Sequence, residues 1–243
     1  MEKELRTINL SKQFKDLKAV NEINLVVKPG EIVGLLGENG AGKTTTLRMV
    51  ATLIRPSQGD VVVDGNSILT DGGKVRKSIG ILFGGEVGLY DRLTGRENIS
   101  YFGQLNGMDK TEINKRIDEL TDLFSMEEFI DRKVGKFSRG MKQKIAIARS
   151  IVHSPDYMLF DEPTMGLDVS ATAIVQDFIR KCKEQGKGIL FSSHSMQEVE
   201  KLCDRVVIIH KGEVVEEGKI EDLKKSYETS DFENIFLRLV GGK

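Results

Sequence analysis

The sequence predicts an α/β fold: a mostly parallel sheet interrupted by an inserted α-helical subdomain. Three observations carry this prediction. Short apolar runs at Ile32–Leu36, Ile79–Phe83, 157–160, 188–191 and 206–209 alternate with helix-like stretches, the pattern of parallel strands joined by helical crossovers. Residues 94–153 instead carry helical spacing over 97–105, Lys110–Phe124 and 139–152 with no strand between. The 243 residues suit one large domain.

In chain order, residues 5–10 and 23–27 read as strands and Pro29-Gly30 as a turn. Ile32–Leu36 reads as a buried strand running into glycine-rich sequence, and 42–53 as the helix that follows. Residues 60–63 and Ile79–Phe83 are further strands. After the helical stretch, helices at 170–184 and Met196–Leu202 fit between the later strands. Residues 214–217 pair back through Lys211-Gly212 as a terminal hairpin, and 220–240 reads as one charged, amphipathic helix. The expected organisation is therefore a core over 1–90 and 154–220, a helical subdomain over 91–153 and a helical extension over 221–243.

Composition narrows the function. Hydrophobic residues at 39% support a real core. Thirty-six basic against 37 acidic residues leave a net charge of -1, and that balance argues against a dedicated nucleic-acid binder. Cys182 and Cys203 have no metal-ligand spacing and read as small buried hydrophobes in a reducing compartment. The charged start at Met1-Glu2-Lys3-Glu4 does not look like a signal sequence. No stretch approaches the roughly 20 apolar residues that span a bilayer, so any membrane role is expected to run through a partner.

Gly37-Glu38-Asn39-Gly40-Ala41-Gly42-Lys43-Thr44, followed by Thr45, fits G-x-x-x-x-G-K-[ST] between a strand and a helix. Glycines let the backbone curl so that amides face an anion at a helix N-terminus. Lys43 adds a positive charge for phosphates, and the Thr44 hydroxyl is a candidate Mg²⁺ ligand. Such a loop needs an acidic partner, and Asp161-Glu162 supplies one at the end of an apolar strand. Asp161 is the candidate Mg²⁺ partner and Glu162 the candidate general base for water. His194, ending Phe191-Ser192-Ser193-His194, is placed to reach a γ-phosphate. His153 and His210 read as structural.

Together these residues resemble the ATP-binding cassette (ABC) ATPases over nearly the whole chain. Phe137-Ser138-Arg139-Gly140-Met141-Lys142-Gln143 is similar to the family signature L-S-G-G-Q at a helix start: Ser138 and Gly140 match, while Phe137, Arg139 and Met141 depart. The resemblance implies a P-loop NTPase fold with a RecA-like core and an antiparallel β part. It implies ATP and Mg²⁺ as ligands, and a second cassette whose γ-phosphate meets Ser138, Arg139, Gly140 and Met141 across a dimer. It also implies an adenine-stacking role for Phe14, for which a core phenylalanine is the alternative, and an ordering role for Asp168 in Gly166-Leu167-Asp168. The family places a glutamine after the strand Ile79–Phe83; here Gly84-Gly85-Glu86 stands there, so Gly84 brings no ligand and Glu86 is the candidate substitute.

Within the family, residues 34–53, 79–90 and 137–149 resemble the NatA-type subunits of sodium-extruding exporters. That implies a cytoplasmic pair beneath a separate multi-spanning membrane subunit, which would handle the sodium. Related cassettes serve drug and other exporters. Against a DNA-repair cassette stands the small helical insert; against a translation factor, the single cassette. A GTPase would need N-K-x-D, and Asn114-Lys115-Arg116-Ile117-Asp118 has one residue too many. A module that only binds nucleotide is disfavoured by Glu162 and His194.

Overall fold

The computed structural model describes residues 3–83 and 88–241. A six-stranded sheet forms the centre. Its strands are β4 (Ile32–Leu36), β7 (Ile79–Phe83), β8 (Tyr157–Asp161), β9 (Gly188–Ser192), β10 (Arg205–His210) and β11 (Glu213–Gly218). Their order is β11-β10-β4-β9-β8-β7, parallel except for β11, which returns antiparallel to β10. A second, antiparallel sheet contains β1 (Leu5–Phe14), β2 (Leu17–Ile23), β3 (Val26–Val27), β5 (Gln58–Val63) and β6 (Asn66–Ser67). The fold is thus an α/β core with a mixed sheet, the class the sequence predicts.

Alternation along the central strands explains why both faces are covered. Ile32 and Leu36 of β4, with Met158 and Phe160 of β8, belong to one hydrophobic core. Val33 and Leu35, with Tyr157 and Leu159, belong to the other. Successive side chains of a strand point to opposite faces, so these strands are apolar throughout. The first core includes residues of α3 (Gly95–Leu105), α4 (Lys110–Phe124), α5 (Arg139–Ile151) and α6 (Val169–Glu184); the second packs α1 (Lys43–Val50) and the antiparallel sheet.

The helices between β7 and β8 start on well-formed caps. The Thr94 hydroxyl accepts from the Glu97 amide at 3.1 Å while the Glu97 carboxylate accepts from the Thr94 amide at 2.7 Å, a reciprocal capping box. Asp109 caps α4 and Ser138 caps α5, each through a side-chain oxygen that accepts from first-turn amides.

Three sequence expectations are corrected. Residues 23–27 do not form one strand: β2 ends at Ile23 and β3 covers only Val26–Val27. Between them, Thr7 of β1 bonds both Ile23 and Leu25 through its hydroxyl, holding a break in the ladder. The helix expected over 42–53 stops at Val50, and Thr52 turns to φ 60° as the amides of Leu53 and Ile54 bond back to the Arg48 carbonyl. The single helix over 220–240 is two, α8 (Ile220–Ser226) and α9 (Phe232–Val240). Glu228 at φ 51° breaks the path, and Asp231 caps the second helix. A further helix that the sequence reading leaves unassigned, α2 (Gly72–Ser78), begins on two glycines. The remaining helix, α7 (Met196–Leu202), matches its expected bounds. Cys182 is buried, and burial pushes its thiol up to about 12; Cys203 is half-buried.

Ile145 on α5 is fully buried in the first core. Ile145→Ala is expected to lower unfolding free energy by about 2–5 kcal/mol, and Thr94→Ala by about 1 kcal/mol through loss of the cap. Urea unfolding of both variants checks the order: a smaller loss at Ile145 than at Thr94 contradicts this account of the core.

Candidate nucleotide site

The site lies beyond the carboxyl ends of β4, β9 and β8, which are adjacent in the sheet. This is where ligands bind in open α/β sheets. The loop 37–42 leaves β4 and enters α1. Its last residue, Gly42, sits at φ 110°, and a Cβ there would stand 2.6 Å from the Ala19 carbonyl oxygen. Both the left-handed backbone and the close approach demand glycine. Gly37 and Ala41 are buried, Glu38, Asn39 and Gly40 are exposed, and Thr45 is half-buried.

Lys43 is 5% exposed, and its ammonium donates to the Gly37 carbonyl at 2.8 Å and the Glu38 carbonyl at 3.1 Å. The side chain thus folds back over its own loop. Burial lowers its pKa from the ordinary lysine value, while the negative charges of Glu162 and Asp161 oppose that shift. A buried cation with carboxylates for neighbours suits an anionic ligand that would add charge-assisted bonds.

Next to it, the Thr44 hydroxyl donates to Asp161 Oδ2 at 2.8 Å. The other carboxylate oxygen, Oδ1, accepts from the Ser192 hydroxyl at 2.6 Å. Ser192 was not singled out in the sequence. It is fully buried, paired in register with Leu35 of β4 and Asp161 of β8. The only trace it leaves in sequence is a polar residue closing an apolar run.

Glu162 follows at φ 49°, a region costly for a non-glycine residue. Its amide donates to the Ser192 carbonyl at 3.0 Å and hydroxyl at 3.1 Å, bonds that hold the turn. His194 Nδ1 lies 3.3 Å from Glu162 Oε2, with the imidazole largely exposed. Lys43, Thr44, Asp161, Glu162 and His194 are therefore brought to one place.

The other predicted residues lie around this centre. Phe14 ends β1 and is 46% exposed, so the core alternative is corrected; the Lys12 ammonium lies 5.1 Å from the ring centroid. Ser138 Oγ accepts from the Met141 amide at 3.2 Å, with Gly140 and Met141 half-buried in the first turn of α5. The Arg139 guanidinium donates to the Met165 carbonyl at 2.8 Å and fills the space a Cβ would take at Gly166. Asp168 Oδ1 caps α6 through the Ala171 amide at 2.8 Å. Gln143, also missed as a site residue in its own right, donates from burial to the Pro163 carbonyl at 2.9 Å. Two bonds thus tie the start of α5 to the loop after Glu162. Gly84 and Glu86 lie outside the described residues.

His153 Nε2 contacts the Ile79 carbonyl oxygen at 3.1 Å, in keeping with a structural role. His210 Nδ1 is 3.6 Å from Glu38 Oε2. Among the described residues no helix is long and apolar enough to cross a membrane, and no cluster of three metal-type side chains occurs. The paired oxygens of Thr44 and Asp161, with Lys43 beside them, fit a divalent cation carried in on a polyphosphate rather than a resident metal.

Comparison with known proteins agrees with this geometry. Residues 20–165 match the family described as ABC transporter. The ABC transporter ATP-binding protein NatA of Bacillus subtilis is 50% identical over 237 residues, 96% of each chain. The bacitracin transport ATP-binding protein BcrA of Bacillus licheniformis is 39% identical over 91% of this chain and 71% of its own. A solved ATP-binding subunit of an ABC transporter superposes with a TM-score of 0.88 at 29% identity, over 97% of this chain and 98% of that one. The dimeric, post-hydrolysis cassette MJ0796 bound to ADP and Pi superposes with a TM-score of 0.78 at 28% identity, over 88% and 98%. On sequence and fold alike, the chain belongs to the ABC transporter family, as an ATP-binding, ATP-hydrolysing subunit close to NatA.

Proposed function

We propose that this chain works as one of two identical cassettes that close around two Mg-ATP and drive a separate membrane subunit of an exporter, with Na⁺ as its cargo. The carrying observation is the meeting of Lys43, Thr44, Asp161, Glu162 and His194 at the ends of three adjacent strands. Lys43 and the amides of the loop 37–45 bind the phosphates. Thr44 and Asp161 hold Mg²⁺, which supplies charge neutralisation when bound. Glu162 takes the proton of the attacking water, and His194 donates to the transferring phosphoryl group. Phe14, exposed at the end of β1, stacks on adenine.

The partner cassette is supported by the face that carries Ser138 and Asp168. Val169 beside Asp168 is 88% exposed and Met165 43%, apolar surface that a second copy would cover. A membrane partner is supported by the aromatic surface that the 91–153 region forms with the residue before it, Tyr90. Tyr90, Tyr101 and Leu105 are all exposed, and the two tyrosine rings pack edge to face at 5.5 Å. This is where a cytoplasmic helix of a permease would dock, placing the chain on the inner membrane face. Sodium rests on the likeness to NatA. Purification from native membranes with a multi-spanning protein, followed by sodium flux in vesicles holding that pair, tests both parts. Recovery with ribosomes or DNA overturns the transporter reading, and flux of a drug without sodium overturns the cargo.

Three further outcomes follow from the site. Glu162→Gln is expected to bind ATP, slow hydrolysis by about 10²–10⁴-fold and accumulate as an ATP-bound dimer; phosphate release and size-exclusion chromatography read this, and unaltered turnover removes the base role. Lys43→Ala is expected to weaken ATP binding by roughly 10–100-fold, the range of one or two charged hydrogen bonds, by calorimetry. The third concerns pH. Burial lowers the Lys43 pKa in the free protein, and bound phosphate raises it again. Affinity is therefore full below the free-state pKa and falls as pH rises through it, beginning below the ordinary lysine value. A titration of ATP affinity against pH should show this alkaline loss in the unaltered chain and not in Lys43→Met.

A further inference from the structure

Glu198 stands on the first turn of α7, four residues after His194. Its place in Ser195-Met196-Gln197-Glu198 is that of the acid in a capping box. The structure uses it otherwise. The Ser195 amide, which such an acid would serve, donates instead to Ser193 Oγ at 3.0 Å. The helix is capped by Ser195, whose hydroxyl accepts from the Glu198 amide at 3.4 Å. The carboxylate is thereby free to face the core.

It is 6% exposed and takes three hydrogen bonds from three segments. Oε2 accepts from Thr164 Oγ1 at 3.0 Å and from Ser193 Oγ at 2.8 Å. Oε1 accepts from Gln176 Nε2 on α6 at 3.2 Å. The Gln176 side-chain oxygen accepts in turn from the Lys201 ammonium at 2.8 Å, so the amide is fixed in the orientation that donates to Glu198. Among the described residues Glu198 has no ion-pair partner. Placing a carboxylate in the interior on neutral donors is costly for stability, so a geometric task accounts for it better than stability does.

The donors identify the task. Thr164 is two residues beyond Glu162, and Ser193 is next to His194. One oxygen atom therefore ties the loop after β8 to the loop after β9. We propose that Glu198 is a positioning residue, which holds Glu162 and His194 in their mutual arrangement by clamping the two loops together. Gln176 extends the clamp to α6, the helix that Asp168 caps. This inference rests on the proposed roles of Glu162 and His194 in hydrolysis.

The test uses the full chain with Mg-ATP, reading kcat, KM and Tm. Glu198→Ala is expected to lower kcat about 10-fold or more, the effect of losing hydrogen bonds to a charged group. KM should stay within about 2-fold, because Lys43 and Thr44 are untouched. Glu198→Gln should restore most of kcat, since both hydroxyls can reverse to accept from its amide. A merely structural residue would not show the next result: Glu162→Gln/Glu198→Ala should hydrolyse ATP no more slowly than Glu162→Gln alone, because a clamp has nothing left to position. A kcat within about 2-fold of the unaltered chain, a loss confined to KM, or a multiplicative loss in the double variant overturns the proposal. If Glu198→Ala does not fold, Thr164→Val and Ser193→Ala each remove one bond to Glu198, the second also removing the acceptor of the Ser195 amide, and should each lower kcat several-fold; unchanged kcat in both overturns the clamp. Should Glu162→Gln alone keep full turnover, the base assignment fails instead, and Glu198 is then judged on its own kcat and on rescue by glutamine.

Discussion

The site depends on one carboxylate shared between two hydroxyls. Asp161 accepts from Thr44 at the start of α1 and from Ser192 at the end of β9. Thr44 brings the glycine loop, and Ser192 brings the strand between. Because β4, β9 and β8 are neighbours in parallel register, Leu35, Ser192 and Asp161 lie across one line of the sheet. A parallel sheet places such ends together without special loops. Hydrogen bonds to a charged acceptor are stronger than neutral ones, so this triad fixes the relative height of the loop and the acids. Lys43 then needs no acidic contact of its own: loop carbonyls hold it and the two carboxylates favour its charged form.

The same logic explains Glu162. A left-handed φ would cost of order 1–3 kcal/mol in isolation, yet two bonds to Ser192 lock the amide in place. Its backbone is thus held by the residue that also holds Asp161. Among the described residues its side chain has His194 as its one polar partner. A rigid main chain under a partly free carboxylate is the arrangement a general base needs: its position is set in advance, and its proton-accepting oxygen is not already saturated.

Much of this was legible in the sequence, and for identifiable reasons. Residues 37–45 announced themselves because a glycine loop between strand and helix has few other uses. Asp161 and Glu162 were legible because the glycine loop upstream calls for an acidic partner, and this pair closes an apolar strand. Central strands and long helices came through as periodicity. What failed were local breaks and polar linkers. The interruption between β2 and β3 depends on the Thr7 hydroxyl, and the split between α8 and α9 on a left-handed Glu228, neither of which periodicity registers. Ser192 and Gln143 work by burial, and their partners lie 31 and 20 residues away. Only the fold brings those partners together.

Polar groups around the site also divide by what they already bond. Ser138 and Asp168 spend a side-chain oxygen on capping their own helices, and Arg139 spends a donor on the Met165 carbonyl. These bonds shape the face assigned to the second cassette without needing that cassette to form. In the proposed dimer a surface so held would lose little side-chain freedom on meeting a partner's phosphate. Arg139 has further N–H donors after giving one to Met165, so in the proposed dimer it would bridge that phosphate to the loop between Glu162 and Asp168. The departure from the family signature at this position then acquires a physical meaning. A glycine would offer the phosphate only its backbone, whereas arginine couples whatever sits at the helix start to the loop that follows Glu162.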